Sequence, residues 1–291
     1  MKLNFTTLIF TIAVCTLFVT SCKKDGFKAT VKNTSTIDVN KAEAIQLAVT
    51  FYKSVTGAYG GAELKNGIKI SSINPLSKRG LTLQSIDPLC GTVVDTTIDN
   101  TILNDTTRYH YGGHFSFTYT CSGSSPDGYK NNNSFFKTTR TPNKLDTLHV
   151  IQQYDVKALD NTFKLVSLNG TMETQHKLQA FNGPFYPYGP SLNINTDIRY
   201  DFAQYVLHDI RVDVSSGIPD MISGTATFTD YHSIQNKDNT NVDFFLTYYS
   251  TITFLGNHLA HIEVRVANGF GPPNPTPAYV YTVNVLTGQV V

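Results

Sequence analysis

Apolar and polar positions divide the chain into three parts with different periods. The first is an uncharged run from Phe5 to Val19, FTTLIFTIAVCTLFV. It is shorter than the roughly 20 apolar residues of a membrane-spanning helix and fits the apolar middle of a secretory signal peptide. Residues 23–37, KKDGFKATVKNTSTI, then read as a flexible tether rich in Lys, Asn, Ser and Thr. The second part, 38–61, places Ala42, Ile45, Ala48, Val49 and Tyr52 at spacings of three and four. That spacing predicts a helix with one apolar face. Asp38 or Asn40 can cap its start, and Gly57, Gly60 and Gly61 end it. It is expected to pack on a sheet.

From about residue 80 the period becomes two. Phe115, Phe117 and Tyr119 share a face, as do Leu148, Val150, Gln152, Tyr154 and Val156. Ile198, Tyr200 and Phe202 are expected on one face, followed by Ile210, Val212 and Val214. Asn169-Gly170 carries the signal of a hairpin turn, and Gly224 that of a bulge. Gly256-Asn257 joins two long strands as a type II′ candidate. The expectation is an all-β body over 80–291: an antiparallel sandwich or curled sheet of about ten strands, with one N-terminal helix. No stretch alternates strand with helix, which argues against a parallel α/β sheet. Two Pro/Gly-rich segments, 181–191 and 268–279, read as loops or edges. The first leaves open a division into halves, 80–180 and 190–291.

Composition supports this. Thr, Asn, Tyr and Phe are plentiful, Trp is absent and charged residues are 15%. A net charge of +1 gives no field that would attract nucleic acid. Of four cysteines, Cys15 lies in the apolar run and Cys22 just after it. Cys90 and Cys121 remain, an even pair predicted to form a disulfide in an oxidising compartment.

The order Val19-Thr20-Ser21-Cys22, then Lys23-Lys24, resembles a bacterial lipobox, and the ending SCKKD resembles lipoproteins of Bacteroidota-type envelopes. The resemblance covers only the first 25 or so residues, about a signal peptide's length. It implies cleavage before Cys22, so that 1–21 is a signal peptide and 22–37 a tether. It also implies acylation of Cys22, and residence at the outer membrane facing either the periplasm or the outside. Two or three acyl chains, each contributing about 0.8 kcal/mol per buried methylene, hold a protein durably.

Candidate chemistry is sparse. His110 and His114 flank Tyr-Gly-Gly, where a sharp bend at the glycines would bring the two imidazoles together for a metal; in a straight strand they share a face about 13 Å apart, and polar strand or turn histidines are the default reading. The Asp- and Asn-rich stretches 95–107 and 236–243 offer hard oxygens without the spacing of a calcium loop, and read as turn-forming loops. Phe185, Tyr186 and Tyr188, held between prolines, are candidates to stack on a sugar or dock a partner. There is no Gly-x-Ser-x-Gly elbow, no His-Glu-x-x-His and no phosphate loop, so no catalytic residue, metal or cofactor is assigned. The expectation is therefore a lipid-anchored envelope protein that binds or scaffolds. The alternatives are a glycan-binding or adhesion module, and a hydrolase with dispersed carboxylates.

Overall fold

The computed structural model of the chain describes residues 38–57, 64, 90–123, 125–180, 197–236, 242–268 and 278–291. Cys22 and the Phe185, Tyr186 and Tyr188 loop lie outside the described residues. Residues Asp38–Val291 form one compact unit.

Helix α1 (Val39–Val55) starts where Asp38 accepts the Lys41 amide hydrogen at 3.1 Å. It stops at Thr56, whose amide donates to Tyr52 O, and Gly57 follows at φ +79°. Ten strands come next: β1 (Val93–Asn104), β2 (Thr107–Ser122), β3 (Ser125–Arg140), β4 (Lys144–Ala158), β5 (Leu165–Ala180), β6 (Asp197–Asp213), β7 (Asp220–Asn236), β8 (Val242–Gly256), β9 (Leu259–Asn268) and β10 (Tyr279–Asn284). Each pairs antiparallel with the next, so sheet order equals chain order. The all-β body with one N-terminal helix is as the periodicity implied. The β5–β6 ladder carries the sheet without a break from the first five strands to the last five.

One face of this sheet holds the core, and the helix lies on it. Phe51 packs its ring 5.1 Å from Tyr205 on β6 and 5.5 Å from Phe254 on β8. Gln152 on β4 donates to Ser54 O at 2.7 Å, and Tyr281 on β10 donates to Asp38 at 2.9 Å. A flat ten-stranded sheet would be about 43 Å wide at about 4.8 Å per strand, and the 17-residue helix is about 25 Å long. Core-face residues from Phe117 on β2 to Val283 on β10 are nonetheless buried, so the sheet curls over α1.

Several expectations need correction. Residues 93–104 are strand β1, not a loop: alternate side chains Val94, Thr96 and Ile98 turn toward the core while Asp95 and Asp99 face out. Asn169-Gly170 is not a turn. It lies inside β5 at a register shift against β6, with Gly170 at φ +140° and the Asn169 side chain accepting the Asp209 amide hydrogen at 2.8 Å. The β8–β9 connection is the pair Asn257-His258, at φ +53° and +57°, between partners Gly256 and Leu259. Two central residues with positive φ make a type I′ turn, not II′. Asp220 accepts both of their amide hydrogens at 2.8 Å. Gly224 does stand opposite an irregularity, at the His208/Arg211 register shift.

Two of the expected apolar stripes are not the fully buried faces of their elements. The helix buries Glu43, Ala44, Leu47, Ala48, Phe51, Tyr52 and Val55, while Ala42, Ile45 and Val49 are only half-buried. In β6, Arg199, Asp201, Ala203, Tyr205 and Leu207 point to the core, and Ile198, Tyr200 and Phe202 do not. The bulge after His208 then resets the phase, so that Ile210, Val212 and Val214 are buried as expected.

Candidate functional site

The reversed phase of β6 sends two charged residues inward, and the ladders place others beside them. His176 on β5 is the register partner of Asp201, and Asp201 of His232 on β7. One row further along, Asp230 is the partner of Ala203. Helix α1 lays Glu43 and Gln46 over this patch. Arg199 Nε donates to Asp201 Oδ1 at 2.8 Å, and its Nη2 donates to Glu43 Oε2 at 3.3 Å and Gln46 Oε1 at 3.1 Å. Gln46 Nε2 donates to Asp201 Oδ2 at 3.0 Å, and His232 Nδ1 stands 2.7 Å from Asp201 Oδ1. Glu43, Arg199, Asp201, Asp230 and His232 are all at most 6% exposed.

Burial and charge separate the three carboxyls. Asp201 is buried, which opposes ionisation, but Arg199 and the imidazoles of His176 and His232 hold its carboxyl well below the usual range. Burial pushes Glu43 up, and the negative Asp201 adds to this against the opposing pull of Arg199 and His232. Asp230 is pushed well up by burial and then by Glu43 and Asp201. Asp230 and Glu43 face each other without reaching hydrogen-bond geometry, and neither Asp230 oxygen has a protein partner. The cluster thus favours the ionised form of Asp201 and pushes Asp230 toward its protonated form.

The cluster reaches solvent along the same row of the sheet. His176 Nδ1 lies 3.5 Å from Asp201 Oδ2 and its Nε2 lies 2.8 Å from Asp146 Oδ1 on β4. Burial opposes a charge on this ring, but its hydrogen bonds and ion pairs with Asp146 and Asp201 win and raise it to about 9. Asp146 is correspondingly lowered: burial opposes, and His176 and then Lys144 prevail. Asp146 and His176 line a cleft of about 200 Å³ with Thr50, Lys137, Thr139 and Leu148. Among the described residues, the Lys137 ammonium and the Thr50 and Thr139 hydroxyls have no protein partner, so three donors remain for a small polar ligand.

Sequence reasoning assigned no part in a site to Glu43, His176, Arg199, Asp201, Asp230 or His232. The signal was there in Arg199 and Asp201, which fall in phase with Ala203, Tyr205 and Leu207 at a spacing of two. The residues that were singled out lie elsewhere. His110 and His114 sit on the outer face of β2, where each meets a carboxylate of β1: Asp99 at 2.7 Å and Asp95 at 2.8 Å. They act as separate cross-strand pairs. Among the described residues no three His, Cys, Asp or Glu side chains are arranged to hold a metal ion. Cys90 and Cys121 lie with Cα atoms 5.6 Å apart and their sulfurs in bonding distance. They clip the chain entering β1 to the end of β2. Also among the described residues, no helix is long and apolar enough to cross a membrane.

Fold and site together define a ten-stranded antiparallel meander curled on a helix that a buried ionic cluster fixes in place. Comparison with protein-family models, curated proteins and solved structures finds no match to this chain.

Proposed function

We propose that this chain is a lipid-anchored cell-envelope protein whose folded unit binds or scaffolds a partner rather than catalysing a reaction. The anchor reading is supported by Val19-Thr20-Ser21-Cys22 after an uncharged run, with a polar tether up to the first helical residues. The Cys90–Cys121 pair suits the oxidising compartment that such export implies.

One observation carries the binding reading. The acids and bases that the fold draws together face inward, under α1, and Arg199 there engages Asp201, Glu43 and Gln46. A general acid or base must come within about 3 Å of a substrate proton. Glu43, Asp201 and Asp230 are covered, and at the open end His176 has both ring nitrogens facing carboxylates. The partnerless Lys137, Thr50 and Thr139 suit holding a ligand rather than transforming it.

The test is cell fractionation of the native chain and of Cys22→Ala, with mass spectrometry of the amino-terminal peptide. The expected result is an acylated Cys22 in the membrane fraction and release of the variant. Equally tight membrane association of Cys22→Ala, with an unmodified thiol in the parent, would overturn the anchor. Turnover of a substrate that is abolished by His176→Gln would overturn the binding reading.

A further inference from the structure

The described residues include five arginines, and three of them are partnered. Arg199 meets Glu43 and Asp201, Arg211 meets Asp209 at 3.2 Å, and Arg265 meets Glu263 at 2.6 Å. The other two, Arg108 on β2 and Arg140 on β3, are register partners of each other. Both are exposed, and no carboxylate lies within ion-pair distance of either among the described residues.

Like charges directly opposite in a sheet are destabilising unless something bridges them. Here they stand at the tips of two neighbouring hairpins. With Thr106, Thr141 and Pro142 they line a groove of about 500 Å³. The Thr141 hydroxyl is committed to its own turn, accepting the Asn143 and Lys144 amide hydrogens at 3.3 and 3.1 Å. The Thr106 hydroxyl has no such partner. Two guanidinium forks and a hydroxyl thus converge with no acid among them. A guanidinium matches the oxygens of phosphate two at a time, and two of them suit an oxyanion better than any neutral ligand.

We propose that Arg108 and Arg140 form a binding site for a phosphate group, carried by a free phosphate compound or by a lipid headgroup. The lipid source rests on the anchor reading.

The experiment uses the full chain carrying Cys22→Ala, so that acylation does not contribute. It is titrated with inorganic phosphate by calorimetry, alongside Arg108→Gln and Arg140→Gln. It is then sedimented with vesicles of phosphatidylglycerol and of phosphatidylcholine. The expected result is saturable phosphate binding that falls about tenfold or more in either variant, the equivalent of one charged hydrogen bond. Anionic vesicles that carry down the parent but less of either variant would identify a headgroup as the source. Phosphate binding without that difference would identify a free phosphate compound. Absence of saturable binding, or variants that bind phosphate as the parent does, would overturn the site. Both side chains are exposed, so neither substitution endangers folding.

Discussion

Glu43 on α1 and Arg199 on β6 are separated by 156 residues in the chain and by 3.3 Å between their charged atoms. Both are almost wholly buried, so the pair joins helix to sheet where neither charge can turn to water. Apolar packing alone does not fix the helix along the strands; hydrogen bonds from Tyr281 to Asp38, from Tyr52 to Pro219 O and from Gln152 to Ser54 O tie down its two ends. The ionic contact fixes its middle, because Arg199 simultaneously holds Asp201 and Gln46.

Arg199→Met should therefore destabilise the fold strongly. It leaves Asp201 and Glu43 buried without the guanidinium they share, and breaking a buried pair on one side costs about 3–5 kcal/mol. Urea unfolding followed by circular dichroism would read this as a lower midpoint. Adding Glu43→Gln and Asp201→Asn should recover much of the loss, since no charge is then left unpaired. A single variant that unfolds with the wild type would mean that the cluster does not hold the helix.

Asp230 behaves in the opposite sense. Its folded pKa lies above its unfolded value, so the native state binds the extra proton. Stability is then present at low pH and lost as pH rises from about 4 through the folded value. Asp230→Asn keeps the shape and cannot ionise. It should be at least as stable as wild type at pH 7 to 8, with a shallower fall toward alkaline pH. Melting curves across that range check it, and a variant clearly less stable at pH 8 would contradict the upward shift of Asp230.

The same residues mark what periodicity can and cannot reveal. Where one face was apolar, as along Leu148, Val150, Tyr154 and Val156, the two-residue period assigned the buried side of β4 correctly. In β6 the half-buried face carries Ile198, Tyr200 and Phe202, and the core face starts with Arg199 and Asp201. A rule that puts apolar residues inside chooses the wrong side there, and only the later run to Leu207 exposes the error. The helix misleads similarly, because Glu43 sits in the middle of its buried face. Asn169-Gly170 failed for another reason. A glycine at positive φ serves a mid-strand bulge as well as a turn, and local sequence does not distinguish them. The partners of the buried charges come from four elements, so only the ladder register brings them together.

The cysteine pair gives a direct measurement. Cys90 and Cys121 are 31 positions apart, a loop whose closure contributes about 3.5 kcal/mol in the chain-entropy model. The double variant Cys90→Ser, Cys121→Ser should unfold at a correspondingly lower urea concentration than oxidised wild type. Non-reducing mass spectrometry of exported protein should find the two cysteines linked. Free thiols there, or matching unfolding midpoints, would remove the disulfide from the fold.

Gly170 tests the mid-strand bulge. A Cβ built on it would lie 2.5 Å from Gln153 O and 2.6 Å from Tyr154 Cα, both backbone atoms of β4. Gly170→Ala should cost about 1–3 kcal/mol through overpacking, in addition to the strain of its positive φ. Gly217 is the control: it also has positive φ, at +82°, but nothing lies within 4 Å of its added Cβ. Gly217→Ala should show the strain alone, and so a smaller loss of melting temperature. Equal losses would mean that β4 does not press on β5 at this point.

His176 supplies the last pH-dependent link, and its sign can be worked out from its neighbours. The groups facing it are Asp146 on β4 and Asp201 on β6, with Lys144 beside the first and Arg199 beside the second. The two carboxylates outweigh both burial and the more distant cations, so the folded pKa rises from 6.5 to about 9. A raised imidazole contributes stability that is fully present below about 6.5 and disappears as pH climbs through about 9. His176→Gln cannot carry the charge. It should be least stable relative to wild type near pH 6, with the difference shrinking toward pH 9 to 10 as the wild-type ring deprotonates. Asp230 also loses stability as pH rises, but Asp230→Asn leaves the imidazolium in place, so the two variants report separate groups. Nuclear magnetic resonance of the His176 ring gives an independent reading. A midpoint near 6.5 would show that Asp146 and Asp201 do not grip the ring from both sides, and the polar path from the cleft to the buried cluster would be broken there.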